Sequence, residues 1–218
     1  MAPARAVLVT GFEPFGGFGL NPSALIAERL DGAAIGGQRV IGRTLPVSLA
    51  DLDGALERVL ADVDPVLVLA LGLASDEPVI RLERFAVNLA DFAIPDNAGA
   101  RVAGQKLDPD GPAALAARLP LAAIRDALLA RGIPSRLSNT AGTYLCNAAM
   151  YRLLVRLPET VPCGFIHLPH LPAEAARLMT GNERETVPSM TLDLQVDAVR
   201  VALAESLAAS PRGGLATS

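Results

Sequence analysis

Cysteine and histidine are scarce in this chain. Cys146, Cys163, His167 and His170 are the whole supply of both in 218 residues. Two thiols are too few for a disulfide framework, and reduced cysteines suit a cytoplasmic protein. The four residues show neither C-x-x-C nor H-x3-H spacing, so zinc ligation finds no support and no metal site is expected. Long apolar runs are also missing: none reaches the roughly 20 residues that a bilayer-spanning helix takes. The opening MAPARAVLVTG passes straight into a strand-like run without a signal-cleavage pattern. Nor is there an excess of positive charge. A formal charge of −4 and a pI near 5.2 argue against nucleic acid or an anionic membrane as the main partner. What is present is 51% hydrophobic residues in a length that suits one sizeable core and is short for two domains.

Short runs rich in Val, Leu and Ile predict strands buried on both faces at Ala6–Thr10, Val40–Val47, Val66–Leu71 and Gly164–Leu168, with a shorter one at Arg136–Ser138. Helical patterns separate them. Pro22–Leu30 follows a capping Asn21, and Leu49–Val63 follows Ser48 with Asp51 three residues on. Pro120–Arg131 stops at Gly132, Thr143–Leu157 forms a fourth helix, and Met190–Ala208 is an amphipathic fifth. The alternation predicts an α/β fold, a single-domain three-layer α/β/α sandwich with a mainly parallel central sheet, spanning residues 1–210. Val79–Leu89 reads as an inserted strand pair or hairpin, IPDNAG as a turn, and residues 211–218 as a frayed tail.

Aromatic residues make up only 4% of the chain, yet Phe12, Phe15 and Phe18 cluster in the glycine-rich turn LVTGFEPFGGFGLNPS, which contains no lysine. Gly11 and Gly16 have Walker A spacing, but Gly17 and Phe18 stand where Lys and Ser/Thr belong, and G-x-G-x-x-G is absent. The turn is therefore not a phosphate cradle. Flat apolar rings at the carboxyl end of a strand suit a small, neutral, flat group, or else they plug the core beneath the turn.

A thiol–imidazole pair is the simplest hydrolytic arrangement these residues permit. Cys146, in SNTAGTYLCNAAMY, lies in or near the first turn of a helix, where free N–H groups and the helix dipole favour a thiolate and could bind an oxyanion; a depressed thiol pKa is expected. A buried structural cysteine is the alternative. Cys163 precedes His167 by four residues on one predicted strand, a separation of about 13 Å, and is structural. His167 ends that strand, whereas His170 sits between Pro169 and Pro172 in a loop, so His167 is the better general base. Glu83 could hold the imidazole in one tautomer, or could be a surface carboxylate beside Arg81 and Arg84.

The motifs VTGFEPFGG, GLASDEPVIRLERFAVN, IPDN, SNTAGTYLCNAAMY and GFIHLPHLP, in that order, resemble pyroglutamyl-peptidase I, a cysteine peptidase family also called pyrrolidone-carboxylate peptidase. The resemblance implies an α/β/α sandwich that removes an N-terminal pyroglutamyl (5-oxoprolyl) residue from peptides, without metal or cofactor. It implies Cys146 as nucleophile, His167 as base and Glu83 as its orienting acid. It further implies that Phe12, Phe15 and Tyr144 wall the lactam ring while backbone near Leu73 meets its N–H and C=O, and that the chain forms dimers or tetramers. The chain departs from the family pattern where Ser75 and Asp76 lie in a usually glycine-rich opening, where Arg81 replaces Ser or Thr, where Ala93 replaces an arginine before IPDN, and where His170 replaces an aromatic residue. Two alternatives stay open: hydrolysis of another small N-acyl amide, and a catalytically silent pyroglutamyl-binding protein.

Overall fold

The computed structural model describes residues 3–180 and 185–209. In chain order the elements are β1 (Ala4–Phe12), α1 (Pro22–Leu30), β2 (Ala34–Ile35), β3 (Gln38–Leu45), α2 (Leu49–Asp62), β4 (Val63–Leu73), β5 (Ile80–Glu83), β6 (Phe85–Val87), β7 (Ala114–Ala116), α3 (Leu121–Ala130), β8 (Ser135–Ser138), α4 (Leu145–Arg156), β9 (Cys163–Leu168), α5 (Pro172–Thr180) and α6 (Leu192–Ala209). Seven strands form one sheet in the order β2-β3-β1-β4-β9-β5-β8. The central pairings β3–β1, β1–β4 and β4–β9 are parallel, whereas β5 runs antiparallel to β9 and β2 antiparallel to β3.

Both faces of this sheet are covered, which is why its strands read as continuous apolar runs rather than alternating ones. Along β1, Ala6 and Leu8 join one core with Leu52 and Leu56 of α2 and Ala148 and Leu153 of α4. Val7 and Val9 point the other way, into a second core with Ile26 of α1, Ile124 of α3 and Val199 of α6. The result is the expected three-layer sandwich. Close strand–helix packing demands glycine at position 11, because a Cβ there would lie 2.2 Å from the carbonyl oxygen of Ser23 in α1.

Local signals set the starts of α1 and α2. Asn21 caps α1 by accepting from the Ser23 N–H, with Pro22 in the first turn, and Ser48 caps α2 by accepting from the Asp51 N–H. The last helix begins at Leu192, two residues inside the expected start at Met190. Residues 211–218 lie outside the described residues.

Two features differ from expectation. The segment 79–89 is not a hairpin folded on itself: β5 joins the main sheet, and β6 pairs with β7 in a separate two-stranded sheet with Phe85 opposite Ala116. A partner so distant in sequence leaves no local turn signal. In addition, α5 is a helix that the sequence reading did not anticipate; Pro172 opens it, a position that tolerates the missing N–H, and His170 lies before it, outside any helix.

Candidate active site

The carboxyl ends of the parallel strands β4 and β9 meet beside the start of α4, the usual place for a site in an open α/β sheet. A cleft of about 660 Å³ opens there, and its lining includes Cys146, His167, Phe15, Phe18, Leu73 and Tyr144. Gly72 pairs with His167 in the β4–β9 register. A Cβ on Gly72 would lie 2.7 Å from the Cys146 Sγ and 2.8 Å from the Phe165 ring, so only glycine lets the thiol settle against the sheet at this point.

Cys146 is the second residue of α4. Tyr144 holds the N-cap without a side-chain cap hydrogen bond, so the first-turn N–H groups are not taken by a cap. Asn147, fully buried, staples this turn to β6: its Oδ1 accepts from the Val87 N–H at 2.8 Å, and its Nδ2 donates to the carbonyls of Val87 and Leu89. Its position directly after the candidate nucleophile was a signal the sequence offered, although Asn147 had no role in the sequence reading.

The expected depression of the thiol pKa does not occur. Burial pushes the Cys146 thiol up to about 12, the nearby Glu83 charge adds to the rise, and Arg81 and the residue's own N–H offset only part of it. Desolvation outweighs the helix terminus here. In the free protein the sulfur is a thiol, and a base must take its proton. Cys163 is buried at the far end of β9; burial also pushes it up to about 12, against an offset from Arg118.

That base is within a fixed frame. His167 Nδ1 lies 2.7 Å from the Glu83 Oε1. A carboxylate only accepts, so Nδ1 carries the proton and Nε2 is the basic nitrogen. Glu83 is fully buried rather than a surface carboxylate. Burial pushes its carboxyl up, but the hydrogen bond and charge of His167, the Ser138 hydroxyl and the Arg81 charge together hold it below its ordinary value of 4.5. Arg81 reaches the same oxygen, with Nε at 3.0 Å and a terminal nitrogen at 2.9 Å.

The apolar wall differs from expectation at one residue. Phe15, Leu73 and Tyr144 line the cleft, and so does Phe18. Phe12 is only 2% exposed, belongs to the sheet core and is not among the cleft-lining residues. Its place at the last residue of β1 turns the ring inward, so it plugs the core beneath the turn. Phe15 lies between Phe18, which it meets edge-on, and Tyr144, which it meets at a tilt, with ring centroids 5.7 and 5.8 Å away. The turn that carries it is pinned to the IPDN segment, where Asn97 donates to the Glu13 carboxylate at 2.8 Å and to the Pro14 carbonyl at 2.9 Å. Ala93 lines the cleft, and His170 is a buried ring set edge-on to Phe18 at 4.8 Å, filling an aromatic place.

Residues 5–209 match the family model described as pyroglutamyl peptidase. The chain is 41% identical over 206 residues to the pyrrolidone-carboxylate peptidases of Yersinia pestis and Yersinia pseudotuberculosis, covering 93% of each chain. It superposes on the crystal structure of pyrrolidone carboxyl peptidase from Thermus thermophilus with a TM-score of 0.83 at 44% identity, covering 91% of this chain and 99% of that one. With the enzyme from Pyrococcus furiosus the TM-score is 0.88 at 39% identity, covering 94% of this chain and 98% of that one. A buried thiol, a carboxylate-bound imidazole and a ring-walled cleft thus occur in a chain that matches these enzymes along almost its whole length, and it belongs to the pyroglutamyl peptidase family of cysteine peptidases.

Proposed function

We propose that this protein cleaves N-terminally pyroglutamylated peptides by acyl transfer through Cys146, with His167 as proton carrier, Glu83 as its orienting acid, and residues 1–210 acting as one peptidase domain. The observation that carries this reading is the convergence of Cys146 and His167 on one cleft, with the His167 ring held by Glu83 at 2.7 Å. His167 Nε2 takes the Cys146 proton as the sulfur attacks the carbonyl of the pyroglutamyl bond. The oxyanion that forms faces the first-turn N–H groups of α4, and losing one such donor typically costs about 10²–10³ in rate. The imidazolium gives its proton to the departing amine, leaving a pyroglutamyl thioester on Cys146. Water, deprotonated by His167, then releases pyroglutamate and returns the thiol.

Because the thiol is high in the free enzyme, ionisation is coupled to attack rather than completed beforehand. Phe15, Phe18 and Tyr144 offer apolar faces to a small lactam, and backbone near Leu73 offers polar groups to its amide. No metal or organic cofactor enters this scheme. Among the described residues no helix is long and apolar enough to cross a membrane. A cytoplasmic setting and a homodimer or homotetramer complete the proposal. The test is hydrolysis of a chromogenic pyroglutamyl amide by the wild type and by Cys146→Ser. The variant should lose at least about 10³-fold in kcat; wild-type turnover by the variant overturns the assignment.

A further inference from the structure

The scheme above leaves the cation of the cleft lining without a task. Arg81 is the sole Lys or Arg among the described residues lining the cleft, and its side chain is 19% exposed. On β5 it stands opposite His167 of β9 in the antiparallel register. Its other neighbours come from several elements. Glu77, before β5, lies 3.2 Å away and is shared with Arg136 of β8. The Ser138 hydroxyl and the Thr140 carbonyl each accept from it at 3.4 Å. Cys146 of α4 feels its charge, and Asp76 and Asp91 line the same cleft.

An arginine that only tied β5 to β8 would be satisfied by Glu77, Ser138 and Thr140. Instead Nε donates to Glu83 Oε1 at 3.0 Å and a terminal nitrogen lies 2.9 Å from the same oxygen, which also accepts from His167 Nδ1. A planar guanidinium that combines a hydrogen bond with a charge contact to one oxygen restricts that oxygen more tightly than a point charge does. We propose that Arg81 is a positioning residue for the hydrolysis, clamping the buried Glu83 in its ionised, His167-facing orientation and placing a positive charge where the Cys146 sulfur becomes anionic.

Two consequences follow from electrostatics. A fully buried carboxylate without a cation shifts towards its neutral form, which would return the Nδ1 proton to competition and loosen the ring. A cation near the sulfur also lowers the cost of the developing thiolate, an effect that acts on the free enzyme as well as on turnover.

This inference rests on the Cys146 reading, so the experiment separates the two. Arg81→Gln and Arg81→Lys are assayed for kcat and KM on the pyroglutamyl amide. In parallel, the rate of Cys146 alkylation by iodoacetamide between about pH 6 and 9, where the fold keeps its stability, is followed by peptide mass spectrometry, which distinguishes it from Cys163 and needs no turnover. Arg81→Gln should lower kcat about 10- to 100-fold with KM within about threefold, and should slow Cys146 alkylation about tenfold at each pH in that range. Arg81→Lys keeps the charge and loses the fork, so its alkylation rate stays near wild type while kcat falls severalfold. An Arg81→Gln protein with wild-type kcat and alkylation rate overturns the proposal. Should Arg81→Gln fail to fold, Arg81→Lys decides alone, and wild-type kcat in it overturns the clamp. Loss of activity in Cys146→Ser with no effect at Arg81 would leave the thiol reading intact and remove only the clamp.

Discussion

Arg81 and His167 face each other across the antiparallel pairing of β5 and β9, and Arg81 Nε and His167 Nδ1 both donate to the Oε1 of Glu83, at 3.0 and 2.7 Å. This places a cation, a carboxylate and an imidazole in one line of contact at the edge of the cleft that also holds Cys146. The reversal of direction at β5 is what makes it possible, since a parallel β5 would set a different register against β9.

Stability should fall at both ends of the pH scale, for opposite reasons. Glu83 has a folded value below its ordinary 4.5, so its contribution is present above about pH 4.5 and is lost as pH drops through the folded value. Glu83→Gln should flatten this acid limb while lowering stability near pH 7 by about 1–3 kcal/mol, because Arg81 loses the buried one of its two charged partners. Cys163 has a folded value of about 12 against an ordinary 9.0, so its contribution is complete below about pH 9 and is lost as pH rises towards 12. Each pH unit in that window removes up to about 1.4 kcal/mol per buried thiol. Cys163→Ala should therefore show a shallower alkaline decline in chemical denaturation than the wild type. An identical slope would show that Cys163 ionises in the folded protein.

Gly72→Ala places a methyl group against the Cys146 sulfur and the Phe165 ring. Overpacking of this kind costs about 1–3 kcal/mol. Because one of the displaced atoms is the attacking one, kcat should fall further than the loss of folded protein explains. Thermal denaturation together with active-site titration of the folded fraction checks this; full specific activity per folded molecule would contradict it.

Phe12 and Phe15 should behave differently although they are three residues apart. Phe15 lines the cleft, so Phe15→Ala should raise KM for the pyroglutamyl amide about tenfold or more, the loss of one apolar wall, with a small effect on melting. Phe12 is 2% exposed within the sheet core, so Phe12→Ala should cost about 3–5 kcal/mol of stability. Folded Phe12→Ala with an unchanged Tm and a raised KM would return that ring to the pocket wall.

Much of this was legible in the order of residues. The apolar runs that became β1, β4 and β9 are unbroken because both sheet faces are covered, and the caps at Asn21 and Ser48 act locally through hydrogen bonds of their own side chains. Scarcity did the rest: with two thiols and two imidazoles, the search for a nucleophile and base had few candidates, and Cys146 stood at a helix start.

Tertiary structure decided what depends on distant partners and on burial. The pairing of β6 with β7, the direction of β5, the inward turn of Phe12 and the approach of Gly72 to the thiol all join segments far apart in the chain. The thiol is the sharpest case. Sequence placed Cys146 at the positive end of a helix and so implied easy ionisation, but the completed fold removes water from the sulfur, and the lost hydration outweighs the N–H group and the Arg81 charge that favour the thiolate. Position along a helix is a local property, whereas desolvation is a sum over everything that packs around the group.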